Sequence, residues 1–172
     1  MRTRLATLLL FAAVLAAHPA AARQISDSAL AERVVEAVLR YAQFGIFDDI
    51  SIQVDNRVVT LTGRVTMPYK RDEIAARVKK IDGIREFTNN IEVLPVSRYD
   101  SDLRDRLARA IYGHPQFRNY ASMVNPPIHI VVENARVRLT GTVSSEVERM
   151  LAYSLAQIPG VFSVTNELKI DR

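Results

Sequence analysis

The sequence predicts an α+β fold built from two tandem αββαβ repeats, each a three-stranded mixed sheet with two helices on one face. Three observations predict it. The segment Val59-Thr60-Leu61-Thr62-Gly63-Arg64-Val65 returns as Val137-Arg138-Leu139-Thr140-Gly141-Thr142-Val143, 78 residues later. Its flanks return in the same order. Ile50-x-Ile52-x-Val54 becomes Ile128-x-Ile130-x-Val132, and Gly83-Ile84 with Phe87-Thr88-Asn89-x-Ile91-x-Val93 becomes Gly160-Val161 with Val164-Thr165-Asn166-x-Leu168-x-Ile170. Within each copy, apolar spacing also switches between helical and alternating periods in a fixed sequence.

The elements follow in order. Leu30, Val34, Ala37 and Val38 recur on one face of a first helix, and Leu103, Leu107, Ala110 and Ile111 do so in the second copy. Ile50, Ile52 and Val54 alternate with Ser51 and Gln53, the period of a half-buried strand. Asp55-Asn56 signals a tight hairpin, because Asn tolerates the left-handed conformation such turns need. Val59, Leu61, Gly63 and Val65 carry the returning strand, with Thr60 and Thr62 (Arg138 and Thr140 in the second copy) on its polar side. Pro68 opens a second helix that buries Ile74, Val78 and Ile81; Gly83 ends it, and a strand runs from Ile84 to Val93. In the second copy Val147, Leu151, Leu155 and Ile158 fill the matching helix, which Pro159-Gly160 stops. The expected domains are 27–95 and 99–172, joined by a linker through Pro95, Val96, Ser97 and Arg98. Each is near the size at which a lone core is marginal, so the two gain by packing together.

Residues 1–22 are expected to lie outside the fold. Arg2 and Arg4 precede an apolar run from Leu5 to Ala17, and Ala20-Ala21-Ala22 supplies a small-residue cleavage site. This is the plan of a secretory signal peptide, with a run short for a membrane span. No Cys lies near the site to carry a lipid, since the chain has none. The expected product is therefore periplasmic, not a lipoprotein and not membrane-spanning. With no Cys, disulfides, thiolate metal sites and thiol catalysis are excluded as well. The formal charge of +4 comes from 23 basic and 19 acidic residues; losing Arg2 and Arg4 leaves 21 against 19, or +2. So small a surplus argues against nucleic acid as a partner and confines any electrostatic function to local clusters.

The ordered pair V-x-L-x-G-x-V and G-[IV]-x-x-[FV]-T-N-x-[IL]-x-[VI], present twice, resembles the BON domain. That family is named for bacterial osmotically induced and nodulation proteins. The resemblance covers nearly all of residues 27–171 and implies a non-enzymatic envelope module that binds phospholipid surfaces or partner proteins. It assigns Gly63, Gly83, Asn89, Gly141, Gly160 and Asn166 a structural role.

No catalytic, cofactor or metal residues are expected. His129 alternates with Ile128 and Ile130 and should stand on the polar side of its strand, and His114 before Pro115 reads as a turn residue. Neither has a second His at ligand spacing. Asp48-Asp49 lies where a turn enters a strand, and Asp72-Glu73 in the first turn of a helix, where negative charge is favourable. General acid–base chemistry needs carboxylates converging from separate elements, and no pair does so in the sequence.

Two features suit binding. Lys70, Arg77 and Lys80 fall on one flank of the second helix of repeat one; they suit anionic headgroups, or form a solvated face paired with Asp72 and Glu73. Repeat two carries five extra residues between Gly113 and Pro127, in a segment read as irregular that includes Phe117, Arg118 and Tyr120. These suit a lipid interface or a partner, with Phe117 alternatively closing the core as Phe44 does in repeat one. The partner is then an anionic phospholipid surface in envelope maintenance or stress response. The alternative is an envelope protein bound by a chaperone-like adaptor.

Overall fold

The computed structural model describes residues 25–171; the expected leader, 1–22, lies outside them. Repeat one comprises α1 (Asp27–Leu39), β1 (Asp49–Asp55), β2 (Val58–Val65), α2 (Pro68–Val78) and β3 (Glu86–Val93). Repeat two comprises α3 (Arg98–Tyr112), a single 3-10 turn (Pro115–Phe117), α4 (Arg118–Ala121), β4 (Ile128–Glu133), β5 (Arg136–Val143), α5 (Glu146–Leu155), β6 (Ser163–Asn166) and β7 (Lys169–Ile170). In each copy the first two strands pair antiparallel and the third joins the second in parallel, so both sheets are mixed as predicted. β6 and β7 continue one strand in one register against β5, interrupted at Glu167-Leu168.

Both hairpins turn on two residues with positive φ, Asn56 and Arg57 in one copy and Asn134 and Ala135 in the other. This is the handedness that matches strand twist. A carboxylate at the head of the first helix pins each turn. Asp27 accepts from the backbone N–H groups of Asn56 (2.7 Å) and Arg57 (2.8 Å). Asp100 accepts from those of Asn134 and Ala135, both at 2.9 Å. The middle strands share a second constraint. A Cβ on Gly63 would stand 2.1 Å from the Asp49 carbonyl oxygen, and one on Gly141 would stand 1.9 Å from that of Pro127, so only glycine lets the neighbouring chain come this close.

Each repeat has its own core. Leu30, Val34, Leu61, Ile74 and Val78 centre the first, and Leu103, Leu107, Ile130, Leu139 and Phe117 the second. One packing expectation fails: Val147 is exposed and Glu148 takes the inward position on α5. The inward stripe lies about one residue, roughly 100°, from the expected one, running from Glu148 through Ala152 to Ala156, the positions that match Lys70, Ile74 and Val78 of repeat one.

The repeats meet through β1 and β4, the outer strands of the two sheets. The Ile130 N–H donates to the Ile46 carbonyl at 2.6 Å, and Phe47 packs against the second core. Thr140 donates to Asp49 at 2.9 Å, and Arg64 reaches Glu133 at 3.5 Å. His129, expected on an open polar face, instead lies 5.3 Å from the Phe44 ring with its Nδ1 shielded and unbonded. Repeat one covers that stretch of the face, and for the same reason Thr140 is buried.

Candidate functional site

The six residues singled out from the sequence separate into two groups. Lys70, Phe117 and Tyr120 serve the interior. Arg77, Lys80 and Arg118 are at the surface.

Lys70 belongs to a buried polar cluster at the base of α2. Asp48 is fully buried and accepts four hydrogen bonds. They come from the Gly45 N–H (2.9 Å), the Thr66 N–H (2.8 Å), the Thr66 hydroxyl (2.9 Å) and Lys70 Nζ (2.6 Å). An isolated buried carboxylate is strongly unfavourable, so the lysine is held as its counter-ion. Lys70 therefore does not share a free flank with Arg77 and Lys80.

Repeat two solves the same problem with the charges rearranged. Position 148 is equivalent to 70, and there the helix supplies the carboxylate. Glu148 accepts from the Ser144 N–H (2.9 Å), the Tyr120 hydroxyl (2.8 Å) and Gln116 Nε2 (3.0 Å). Burial pushes the Glu148 carboxyl up. The hydrogen bonds from Gln116, Tyr120 and Ser144 together outweigh burial and hold the group below the usual carboxylate range. Tyr120 comes from the inserted region, and Gln116, which matches Gln43 of repeat one, from just before it. That region is ordered by them and forms the 3-10 turn and α4, rather than the irregular segment expected. Phe117 is completely buried and stacks with Tyr120 at 6.0 Å, so of its two sequence readings the core one describes its position. Arg118 is exposed at the start of α4.

Arg77 and Lys80 meet two arginines that sequence reading passed over. Between α1 and α2 lies a groove of about 370 Å³ lined by Arg33, Glu36, Ala37, Arg40, Glu73, Arg77 and Lys80. Arg40 pairs with Glu36 at 2.6 Å, and Arg77 pairs with Glu73 at 3.1 Å while its guanidinium lies over the Tyr41 ring. Both glutamates are thus matched, whereas Arg33 and Lys80 form no ion pair among the described residues. The groove holds four cations against two anions. The signal for Arg33 and Arg40 was their i, i+7 spacing along α1 and its C-cap, beside the core stripe, visible only once α2 is known to lie alongside.

A larger cleft, about 540 Å³, separates the strand faces of the two repeats. It is lined by Arg64, Arg136 and Arg138 together with Asp49, Glu92 and Glu133. Here the charges balance and largely pair: Arg64 with Glu92 (2.6 Å) and Glu133, and Arg138 with Asp49 (3.6 Å). It reads as a polar seam between the repeats. Among the described residues no group of three His, Asp or Glu side chains is placed to hold a metal ion, and no helix is long and apolar enough to cross a membrane.

Comparison with known proteins adds to this geometry. Residues 26–95 and 99–172 each match the family model of the BON domain. The chain is similar to the Osmotically-inducible protein Y of Escherichia coli (strain K12), with 29% identity over 153 residues, covering 84% of this chain and 73% of that protein. Among solved structures it is similar to the C-terminal domain of CdsD, the structural protein of the Type III secretion system of Chlamydia trachomatis. That match has a TM-score of 0.37 and 16% identity, covering 86% of this chain and 68% of that one. A second CdsD structure matches at a TM-score of 0.31 and 13% identity, covering 81% and 93%.

Proposed function

The chain belongs to the BON domain family, and from that premise we propose that it is a non-enzymatic periplasmic protein that binds phospholipid membrane surfaces during envelope maintenance under osmotic stress. The name of its relative, an osmotically inducible protein, supports the stress setting. The signal-like residues 1–22 support export to the periplasm.

One observation carries the lipid reading: the basic groove between α1 and α2. Overall charge is too small to attract a membrane, so attraction has to come from one place. The groove supplies a local surplus of two positive charges in a concavity able to take a phosphate headgroup. Each basic residue close to an anionic leaflet contributes about 1 kcal/mol, a term that salt screens.

The test is co-sedimentation of the mature protein with phosphatidylglycerol and with phosphatidylcholine vesicles. Binding should favour the anionic vesicles and weaken with salt. Replacing Arg33 and Lys80 together with Gln should remove about 2 kcal/mol, roughly a 30-fold loss of affinity. Arg118→Gln probes the inserted loop in the same assay. Absence of vesicle binding at every salt concentration overturns the reading and leaves the protein-interaction, chaperone-like alternative.

A further inference from the structure

α1 has a second side. Leu30, Val34 and Val38 point into the core, and the basic groove flanks them on one side. On the other flank Val35 and Leu39, one turn apart, stand 41% and 38% exposed. They line an apolar groove of about 520 Å³ with Ala31, Glu32, Glu36, Arg40 and Asn125. Glu36 and Arg40 line both grooves, so the apolar and basic surfaces share one ridge. Asn125 closes the apolar groove from repeat two, and the two residues before it, Met123 and Val124, are 48% and 97% exposed.

Repeat two does not expose the equivalent flank. The residues matching Val35 and Leu39 are Ala108 and Tyr112, both packed against the second core, and the Tyr112 hydroxyl donates to the Ile128 carbonyl. The open apolar flank is therefore not a requirement of the fold. It occurs once, beside the groove with the surplus of positive charge.

We propose that this flank is a membrane-insertion edge: Val35, Leu39, Met123 and Val124 enter the acyl boundary of an anionic bilayer while the adjoining basic groove holds headgroups. The inference rests on the phospholipid reading above and adds depth and orientation to it. Apolar side chains bordered by basic residues suit the interfacial zone, where burial and charge act together. The complementary sign of the adjoining groove selects an anionic bilayer as the occupant. Repeat one faces the membrane, with the tip of the inserted loop beside it.

The chain contains no tryptophan, so Leu39→Trp creates a single fluorescent reporter on the flank. Phe162→Trp, at another exposed position, serves as the control. With phosphatidylglycerol vesicles carrying brominated acyl chains, Trp emission of L39W should shift to the blue and be quenched, and that of F162W should not. Val35→Ser with Leu39→Ser should weaken vesicle binding at least about tenfold, and the loss should persist at high salt. Vesicle binding with L39W still water-exposed overturns the insertion edge and leaves the headgroup reading standing. Equal quenching of both reporters also overturns it. A blue shift that grows with protein concentration in lipid-free buffer overturns it in favour of a second copy covering the flank. No vesicle binding by either reporter protein or the parent chain removes the reading beneath it.

Discussion

Replacing Lys70 with Met tests whether this lysine is a counter-ion or a ligand-binding group. The substitution keeps the aliphatic stem and removes the charge that lies 2.6 Å from Asp48. Asp48 is fully buried and keeps three neutral donors, from Gly45 and Thr66. Losing one partner of a buried pair costs about 3–5 kcal/mol when the remaining charge is stranded. A charge-assisted hydrogen bond alone is worth about 1.5–3 kcal/mol. The three surviving donors place K70M near the overlap, at about 2–3 kcal/mol. If the repeats unfold together, that lowers Tm by about 6–10 °C. Urea denaturation followed by circular dichroism measures it, with Lys80→Met as a surface comparison expected within about 0.5 kcal/mol. A double-mutant cycle with Asp48→Asn should show coupling of about 1 kcal/mol or more. A loss below about 0.5 kcal/mol for K70M, equal to that of K80M, would refute the assignment.

Two further predictions concern the second repeat. Asp100→Ala orphans the turn N–H groups of Asn134 and Ala135 and should cost about 1.5–3 kcal/mol, read from the urea midpoint; a change under about 0.5 kcal/mol would show that the turn holds itself. Glu148 should make stability fall in acid. Its folded-state pKa lies below its unfolded value, so its contribution is complete above about pH 4.3 and is lost as pH falls through the depressed folded-state value. Comparing the parent chain with Glu148→Gln across pH 2–7, the stability gap should narrow below about pH 4; a constant gap would contradict the assigned cause.

The framework was legible in the sequence because it depends on local periodicity. The alternation at Ile50, Ile52 and Val54 and the helical stripe at Leu30, Val34 and Val38 need no knowledge of distant residues. Val147 misled because its period is right but its phase is not: the buried face runs from Glu148 through Ala152 to Ala156, a phase set by packing against elements distant in the chain. The same applies to the candidate site. Lys70 has a basic residue's ordinary surface reading until Asp48, 22 residues earlier, is known to be buried beneath it. Asp27 and Asp100 do fall at the same 73-residue shift that aligns Leu30 with Leu103, so the repeat itself carried the trace of their shared task. Arg33 and Arg40 needed the packing of α1 on α2 before they could join Arg77 and Lys80.

The rearranged carboxylates limit how the two halves can be exchanged. The five added residues of repeat two and the acidic residue at 148 act as one unit, because Tyr120 arrives with that segment and its hydroxyl bonds to Glu148. Trimming the segment to the length found in repeat one would leave a shielded anion short of the Tyr120 hydroxyl. Grafting it onto repeat one would bring a tyrosine toward a site already closed by an aspartate–lysine pair. An engineer shuffling these modules must move the loop and the helix together, since matching positions 70 and 148 by alignment alone would join incompatible halves.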